Sequence, residues 1–334
     1  MQRRTFITGL AGVAGAVAMP HVRRAGAQNP LVIRFAHYVD VQHPGHSAAM
    51  QFADRVKQRT NGAVQVNIFP NNALGSPPEE LEQCRLGAID MVIPTQGQLD
   101  KYVKAFGACE LPFAYLDYEH AHKVLDSDAM MGWLAPLAEQ ANFIILSNWE
   151  YGFRNLTTAK NPINSPDDLK GLKVRTPPEI QISASMEALG GIVTQIAYPE
   201  LYLALSQGVV DAEENPIATI YFAKFYEVQK HLALTKHIYN NMIQTMSVRS
   251  WAKLSKEQQT IFREESKSAG DKMRQLIVSQ EDDQVKKLEG MGMKVTRPDL
   301  APFKAKMQPA YAKIGSFAGA DNVKKVLDIV AKVG

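Results

Sequence analysis

The stretch that decides the fold is LVIRFAHYVDVQHPGHSAAMQFADRVKQRTNGAVQVNIFP, residues 31–70. The apolar run LVIRFAH comes first, the amphipathic segment HSAAMQFADRVKQRT follows, and GAVQVNIFP then returns to alternating apolar residues. A further helical segment, PPEELEQCRLG, and another apolar run, AIDMVIP, come next. This alternation of strands and helices predicts an α/β unit in which helices cover a largely parallel sheet.

A second unit of the same kind begins at FIILSNWEYGFRNLTT, residues 143–158, and continues to VVDAEENP, residues 209–216. The segments EQCRLGAIDM (82–91) and LALSQGVVDA (203–212) also echo one another, because each reads as a helix, a glycine, two apolar residues and an aspartate. Gly87 and Gly208 can adopt the left-handed conformation that ends a helix. We therefore expect two similar lobes that face each other.

The last part of the chain is helical and polar. Ser255 and Gln258 have the spacing of a capping box, which predicts a long helix from residue 256 to residue 290. Such a helix would brace both lobes, with two helices in series as the alternative. Because no low-complexity linker separates the parts, we expect strands that cross between the lobes, with a hinge near residues 148–152 and 239–241. Gly152 is the candidate pivot; alternatively it only makes room for a neighbouring group.

The first 27 residues have the pattern of an export signal. Arg3 and Arg4 precede a small-residue apolar run too short to span a bilayer, and Ala25-Gly26-Ala27 is typical of a cleavage site. The adjacent arginines indicate a twin-arginine signal, with a general secretory signal as the alternative. Either type places the mature chain outside the cytoplasm, and the expected location is the periplasm.

Removal of this signal changes the net charge. The formal charge of +3 includes four arginines and no acidic residue before Gln28, so the mature chain carries −1. A nucleic acid or an anionic membrane is therefore not expected as a partner. The two cysteines, Cys84 and Cys109, fit no zinc pattern, and either a disulfide or two buried thiols is compatible with export.

Common catalytic and cofactor motifs are missing from the sequence after Gln28. It contains no G-x-S-x-G, H-E-x-x-H, P-loop or G-x-G-x-x-G pattern, so we expect no catalytic residue, no cofactor and no enzyme. His37, His43 and His46 lie at a strand end and in a Pro/Gly-containing loop, without a helical register that would converge them on a metal. The rival is an exported enzyme, such as a lyase, that acts on a carboxylate with His37 as its base.

Two arginines and an asparagine are the strongest candidates for ligand contacts. Arg154, Arg175 and Asn215 each follow or end a strand-like run in the second unit. Such positions converge at one rim of a sheet, where ligands of α/β proteins bind. Two planar guanidinium groups and an amide there would form a site for a carboxylate.

These residues lie in segments that resemble a known family. GFRNLTT, DLKGLKVRTP, YPELYLALSQGVVDAEENP and KFYEVQKHLALTKH, together with NNALGSPPEELEQCRLGAIDM and CELPFAY earlier in the chain, are similar to the solute-binding (DctP-type) subunit of tripartite ATP-independent periplasmic (TRAP) transporters. The resemblance implies that Arg175 pairs with the substrate carboxylate and that Arg154, Asn215 and Tyr198 contribute to the same site. Members that bind sialic acid carry acidic residues at the positions of Ser76 and Thr95, so sialic acid is not the expected ligand.

The resemblance also implies a fold class: α/β, a two-lobed periplasmic binding protein in which each lobe is a mixed sheet flanked by helices, with a long bracing helix. The signal occupies residues 1–27, the first lobe 28–151 with about 241–280, and the second lobe 152–240 with about 281–334. The implied function is the capture of a small organic carboxylate by domain closure and its delivery to TRAP membrane permease subunits, driven by an ion gradient.

Two ligand chemistries remain open. The polar residues His37, Ser76, Thr95, Gln96 and Glu150 could hydrogen-bond hydroxyl groups, which favours a hydroxylated or sugar acid. The aromatic side chains of this region suit an aromatic or branched 2-oxo or 2-hydroxy acid instead; they are Trp149, Tyr151, Phe153 and Tyr198.

Overall fold

The computed structural model describes residues 29–333, so the predicted export signal lies outside the described residues. Nine strands form one mixed sheet. They are β1 (Leu31–Ala36), β2 (Val64–Phe69), β3 (Met91–Val92), β4 (Phe143–Thr158), β5 (Lys173–Thr176), β6 (Ile192–Gln195), β7 (Ala212–Pro216), β8 (His231–Ser247) and β9 (Lys294–Thr296).

Helices connect the strands and cover both faces of the sheet. They are α1 (Pro44–Arg59), α2 (Pro77–Leu86), α3 (Tyr118–Leu125), α4 (Asp128–Gln140), α5 (Ile180–Ala188), α6 (Tyr198–Ser206), α7 (Ile217–Phe222), α8 (Val248–Trp251), α9 (Lys256–Gly290), α10 (Ala301–Ala305), α11 (Gln308–Ala318) and α12 (Ala320–Val333). Short 3-10 helices cover Gln96–Lys101, Lys104–Ala108, Pro166–Leu169 and Phe225–Glu227.

The strand order is symmetric about the centre of the sheet. It runs β2-β1-β3-β8-β4-β7-β5-β6, with β9 alongside β8. Strands β1 to β3 form the first lobe beside one end of β8, and β5 to β7 form the second lobe beside one end of β4. The fold is therefore the expected two-lobed α/β architecture, with each lobe built from the same strand–helix–strand unit.

The echo between the two lobes extends to individual hydrogen bonds. The Asp90 carboxylate accepts the backbone N–H of Arg34 at 2.8 Å, and the Asp211 carboxylate accepts that of Lys173 at 3.0 Å. Each aspartate therefore fixes the turn before the last strand of its lobe to the neighbouring strand. The strands β3 and β7 begin one residue after these aspartates, so the two apolar residues before each aspartate belong to the turn.

Two long antiparallel strands join the lobes. β4 pairs with β8 from Phe143, opposite Ser247, to Thr158, opposite His231, with irregularities in register along the way. This pairing confirms that strands, and not a flexible linker, cross between the lobes. The register shifts between Glu150 and Gly152, inside the segment for which the sequence predicts a hinge.

Helix α9 is a single helix of 35 residues that packs into both lobes. Its Ser255–Gln258 capping box is present, as the sequence predicts. Phe262 and Met273 belong to the apolar core that contains α1 and β1, whereas Leu288 belongs to the core around α6 and α7. The bracing role is thereby confirmed, and two helices in series are excluded.

The described residues settle two smaller points. Cys84 and Cys109 are both buried free thiols, so they form no disulfide with each other. Within residues 29–333, no helix combines the length and the apolar character that a membrane span requires.

Gly152 has a backbone conformation that suits glycine. Its φ angle is +116°, and a Cβ at this position would lie 3.1 Å from the Tyr118 hydroxyl and 3.3 Å from Pro216 Cβ. Both the backbone angle and the surrounding space therefore disfavour a side chain here. This geometry fits the bulge between β4 and β8, and a pivot role for Gly152 stays a prediction.

Replacement of Gly152 by alanine should destabilise the fold. We expect Gly152→Ala to lower the free energy of unfolding by about 1–3 kcal/mol, because alanine must adopt the positive φ angle and displace its neighbours. The control is Gly132→Ala on the exposed face of α4, where a Cβ meets nothing within 4 Å. That change should raise the free energy of unfolding by about 0.5–1 kcal/mol. Urea denaturation of both variants measures the difference, and equal effects would contradict the strain at Gly152.

Candidate ligand-binding site

A narrow cavity of about 30 Å³ lies where the two lobes meet. Residues up to Gln98 contribute one wall, and residues 151–215 contribute the other. The lining residues are Tyr38, Pro77, Pro78, Thr95, Gln98, Tyr151, Arg154, Arg175, Pro177, Pro178, Glu179, Ala197, Tyr198 and Asn215.

The sheet order explains why Arg154, Asn215 and Arg175 meet at this cavity. Strand β7 lies between β4 and β5 and carries Asn215, while β4 carries Arg154 and β5 carries Arg175. Neighbouring strands of one sheet are about 5 Å apart. The three side chains therefore reach the same space although they are distant in sequence.

Arg154 is held by the protein itself. Its Nε and one Nη atom donate to both carboxylate oxygens of Glu214, and its other Nη atom donates to Asn240 Oδ1 at 2.9 Å. Burial lowers the pKa of the guanidinium, but Glu214 outweighs burial and leaves that pKa above its usual value. Burial likewise raises the pKa of Glu214, whereas Arg154 and His237 keep it below its usual value. Arg154 and Glu214 thus form a buried ion pair.

Arg175 is buried without a counter-ion among residues 29–333. Its Nε donates to the Ile196 carbonyl at 2.9 Å, and no other hydrogen bond of its guanidinium is found in the described chain. The side chain is only 2% exposed. Burial lowers the pKa of Arg175, and the nearby Arg154 lowers it further, although Glu214 acts in the opposite direction. Both terminal nitrogens are therefore available to a ligand in the cavity.

Asn215 retains part of its hydrogen-bonding capacity. Its Nδ2 donates to Glu213 at 2.6 Å, and its Oδ1 accepts from Arg154 at 3.3 Å. An amide nitrogen carries two hydrogens, so one remains for a ligand. Burial raises the pKa of Glu213 to about 7, although Thr157 and Asn215 donate to its carboxylate.

The remaining wall of the cavity is largely apolar. Tyr198 contacts Tyr38 edge to face, with ring centroids 5.3 Å apart. Two prolyl pairs, Pro77-Pro78 and Pro177-Pro178, line the cavity from the two lobes. Proline has no N–H group, so these walls offer aliphatic surface without backbone donors.

Five of the nine residues predicted from the sequence line this cavity: Arg154, Arg175, Asn215, Tyr198 and Thr95. His37 and Glu150 do not. The His37 ring contacts His46 on α1, with a nitrogen-to-nitrogen distance of 3.1 Å, and Glu150 binds His122 of α3 at 2.5 Å. Tyr38 and Tyr151, the next residue in each case, line the cavity instead.

Ser76 and Gln96 are also absent from the cavity lining. The Ser76 hydroxyl donates to Glu79 at 2.7 Å within the cap of α2, and the adjacent prolines line the cavity in its place. Gln96 is fully buried, whereas Gln98 lines the cavity and donates to Thr95 at 2.8 Å. A 3-10 helix has three residues per turn, so Gln98 lies on the same face as Thr95. The spacing of three residues from Thr95 is the sequence feature that could have predicted Gln98 as a cavity residue.

A metal role for the histidines has no support in the described residues. Among residues 29–333, no group of three or more His, Cys, Asp or Glu side chains could hold a metal ion. Burial lowers the pKa of both His37 and His43 to about 3, which keeps the two rings neutral.

Two lobes enclose a cavity lined by a guanidinium that has no counter-ion among residues 29–333, and this arrangement is typical of a binding protein for a small ligand. Residues 35–316 match the family described as bacterial extracellular solute-binding protein, family 7, and the chain belongs to this family. It is a solute-binding protein of the TRAP type, as its sequence motifs predict.

Three similar proteins illustrate the family. The sialic acid-binding periplasmic protein SiaP of Vibrio cholerae is 34% identical over 281 residues, which cover 84% of this chain and 87% of that protein. A TRAP periplasmic solute-binding protein from Polaromonas sp. JS666, solved with D-erythronate, is 32% identical with a TM-score of 0.85, covering 89% of this chain and 98% of that one. One from Bordetella bronchispeptica, with density assigned to pantoate, is 31% identical with a TM-score of 0.85 and covers 89% and 99%.

The two buried arginines should respond differently to removal. We expect Arg154→Met to lower the free energy of unfolding by about 3–5 kcal/mol, because it leaves the buried Glu214 carboxylate without its counter-ion. Arg175→Met removes an unpaired charge and one hydrogen bond, so its effect should stay within about 1 kcal/mol. Urea denaturation without added ligand measures both values. Similar losses in the two variants would show that Arg175 also has a partner in the unliganded protein.

Proposed function

We propose that the protein captures a small organic carboxylate outside the cytoplasm and delivers it to TRAP membrane permease subunits. The observation that carries this proposal is the buried guanidinium of Arg175, which lines the cavity and whose terminal nitrogens have no hydrogen-bond partner in the described chain. A carboxylate fits this planar fork with two parallel hydrogen bonds. Asn215 would donate a third bond.

A hydroxylated or sugar acid is the first candidate ligand. Thr95 and Gln98 line the cavity with polar side chains, and Gln98 Oε1 has no donor within the described chain. A ligand hydroxyl could donate to this oxygen, and the Tyr38 and Tyr198 hydroxyls could contribute as well. The similar Polaromonas protein holds D-erythronate, a short hydroxylated acid, which supports the same class of ligand here.

Capture would proceed by closure of the two lobes. The cavity takes side chains from both lobes, so a bound acid makes its full set of contacts only when they are together. We assign residues 28–151 and about 241–280 to one rigid unit, and 152–240 and about 281–334 to the other. The bulge between Glu150 and Gly152 marks the β4 part of the hinge between them.

We further propose binding without turnover, after export by a twin-arginine signal to the periplasm. Membership of a solute-binding family supports binding, and the relatives named above are periplasmic. The rival enzyme would use His37 as a base, but this ring lies against His46 and not at the cavity. Mass spectrometry after incubation with a bound acid should recover that acid unchanged.

Substitution of Arg175 should abolish tight binding. We expect Arg175→Ala to weaken D-erythronate binding by about 2–5 kcal/mol, because the ligand carboxylate is left buried and unpaired. Arg175→Lys should recover little of this loss, since an ammonium group cannot form the bidentate pair. Isothermal titration calorimetry measures both variants, and the control is Arg55→Ala on the exposed face of α1. If Arg175→Ala binds D-erythronate within threefold of the affinity of the parent protein, the proposed pairing of Arg175 with the ligand carboxylate is wrong.

The apolar walls favour a second candidate, a branched 2-hydroxy acid. Four prolines and Ala197 surround the space beyond Arg175 and provide aliphatic contacts without N–H groups. Each buried ligand hydroxyl that lacks a partner costs binding free energy. The density assigned to pantoate, a branched hydroxy acid, in the Bordetella protein supports this candidate.

Two acids of equal carbon number can separate these candidates. 2-Hydroxybutanoate and D-erythronate share a four-carbon chain and a 2-hydroxyl group, and they differ in the hydroxyls at carbons 3 and 4. If the prolyl walls dominate, 2-hydroxybutanoate should bind at least tenfold more tightly, because its end group needs no polar partner. Tighter binding of D-erythronate would favour the polyhydroxylated class. If neither acid binds, the carboxylate proposal itself fails.

A further inference from the structure

A pair of glutamates meets next to the cavity at Gly97. A Cβ added at Gly97 would lie 2.5 Å from Glu179 Oε2 and 2.6 Å from Glu110 Oε2, so the two carboxyl groups converge on this glycine. Gln181 Nε2 is 3.1 Å from the same point. Glu110, Glu179 and Gln181 are each no more than 1% exposed.

The protein supplies this pair with few hydrogen-bond donors. Glu179 Oε1 accepts from the Thr95 hydroxyl at 2.9 Å. In the described part of the chain, Glu179 Oε2 and Gln181 Oε1 have no donor, and the Gly97 backbone N–H lies near the Glu110 carboxyl group without meeting hydrogen-bond geometry. Arg154, whose charge acts on both carboxyl groups, is already bound to both oxygens of Glu214. Among residues 29–333, the two carboxyl groups form no salt bridge of their own.

Elementary electrostatics decides the protonation of such a pair. Two buried carboxylates in contact repel one another, so one of them retains a proton and donates it to the other. Burial and the neighbouring Glu179 raise the pKa of Glu110 well above its usual range. Burial also raises the pKa of Glu179, although Arg154 and Thr95 act in the opposite direction. Glu110 is thus the protonated partner and Glu179 the acceptor.

The pair spans the junction between the two lobes. Glu110 belongs to the segment that follows β3, whereas Glu179 stands between β5 and α5. Two further hydrogen bonds cross the same junction: Ile180 N donates to Asp100 at 3.3 Å, and Gln181 Nε2 donates to the Phe106 carbonyl at 3.1 Å. The glutamate pair and these two hydrogen bonds therefore join the two lobes at one place.

We infer that Glu110 and Glu179 form a proton-binding site that is completed when the lobes close, so that ligand capture takes up a proton. This inference rests on the proposed capture of a carboxylate by closure. In the open form the two glutamates would each be solvated and ionised near neutral pH. In the closed form they share one proton, and the closed form therefore binds more protons than the open form.

Other titratable groups surround the pair. They are Tyr38 after β1, Asp100 and Cys109 on the segment after β3, Tyr115 beyond it, Arg154 on β4 and Glu214 on β7. The Arg154–Glu214 pair is neutral overall, and burial raises the pKa values of Cys109 and Tyr115, which keeps both uncharged. Burial raises the pKa of Asp100 to about 7, with Glu179 as a further contribution, so Asp100 adds to the proton uptake.

The sign of the pH dependence follows from these raised pKa values. A carboxyl group with a higher pKa in the closed form favours closure fully below its open-form pKa, and the advantage is lost as the pH rises towards the closed-form pKa. For one proton, the dissociation constant should rise by up to about tenfold per pH unit within that window. Ligand capture should therefore be tightest in mildly acidic solution.

Calorimetry can test this linkage directly. D-Erythronate and 2-hydroxybutanoate are titrated into the mature protein between pH 5.5 and 8, in two buffers of different ionisation enthalpy. We expect uptake of one to two protons per bound acid, one at the glutamate pair and a fraction at Asp100, and a dissociation constant at pH 7.5 at least tenfold above that at pH 5.5. Binding without proton uptake would overturn the inference and leave the proposed function intact. If neither acid binds at any pH, the proposed function fails, and the inference with it.

The matched variant is Glu110→Gln. A glutamine amide donates to Glu179 at every pH, so it imitates the protonated glutamate. The variant should bind more tightly than the parent at pH 7.5, and the slope of its log Kd against pH should be smaller by about one unit. The control, Glu119→Gln on the exposed face of α3, should leave the slope unchanged. A purely structural role of Glu110 would predict weaker binding at every pH, with the slope unchanged, which would contradict the inference. If Glu110→Gln does not fold, the buffer comparison on the parent protein still decides.

Discussion

The site depends on one asymmetry between two buried arginines. Arg154 has a counter-ion in Glu214, so its charge is compensated within the protein. Within the part of the chain that the structure describes, Arg175 has no counter-ion, and its one hydrogen bond is from Nε to the Ile196 carbonyl. An isolated charge in a closed cavity is costly, and an anion that enters the cavity removes much of that cost. Because Glu214 is already paired with Arg154, it does not neutralise Arg175. The positive charge of Arg175 therefore stays uncompensated until a ligand binds. Selectivity for a carboxylate over a neutral sugar follows from this arrangement.

The sheet supplies the rigidity that such a site needs. β4 and β8 run through both lobes, and α9 inserts apolar side chains into the core of each lobe. The proposed closure is then limited to a rotation about a few residues, because the two units cannot slide past one another. The prolyl pairs also make the backbone at the cavity more rigid, because Pro77-Pro78 begins α2 and Pro177-Pro178 follows β5 directly. Each lobe thus presents a stiff wall beside its polar residues.

The sequence predicted the positions of the helices and strands well. It predicted less well which individual side chains point into the cavity. β4 spans the same residues, 143–158, as the apolar run from which it was predicted, and the α9 capping box formed as expected. Strand residues alternate between faces, however, so an error of one position on β4 exchanges Tyr151 for Glu150. His37 and Tyr38 follow the end of β1, where no strand alternation indicates which of the two lines the cavity. The E-E-N-P motif showed that Glu214 is adjacent to Asn215 in the sequence. It did not show that Glu214 forms an ion pair with Arg154. That pairing depends on the register of β4 against β7, which no local pattern encodes.

The charges around the cavity also limit the charge of the proposed ligand. Glu214 is balanced by Arg154, and Glu110 and Glu179 would share one proton. Glu213 has a pKa raised to about 7 by burial, so it contributes only part of a negative charge near neutral pH. Among the described residues that line the cavity, Arg175 then remains as the cation that a ligand can neutralise. A second carboxylate on the ligand would meet prolines, tyrosine hydroxyls and the Glu179 side chain, none of which compensates a negative charge. The proposed ligand is therefore a monocarboxylate, and a dicarboxylate of similar size would leave one charge buried and unpaired.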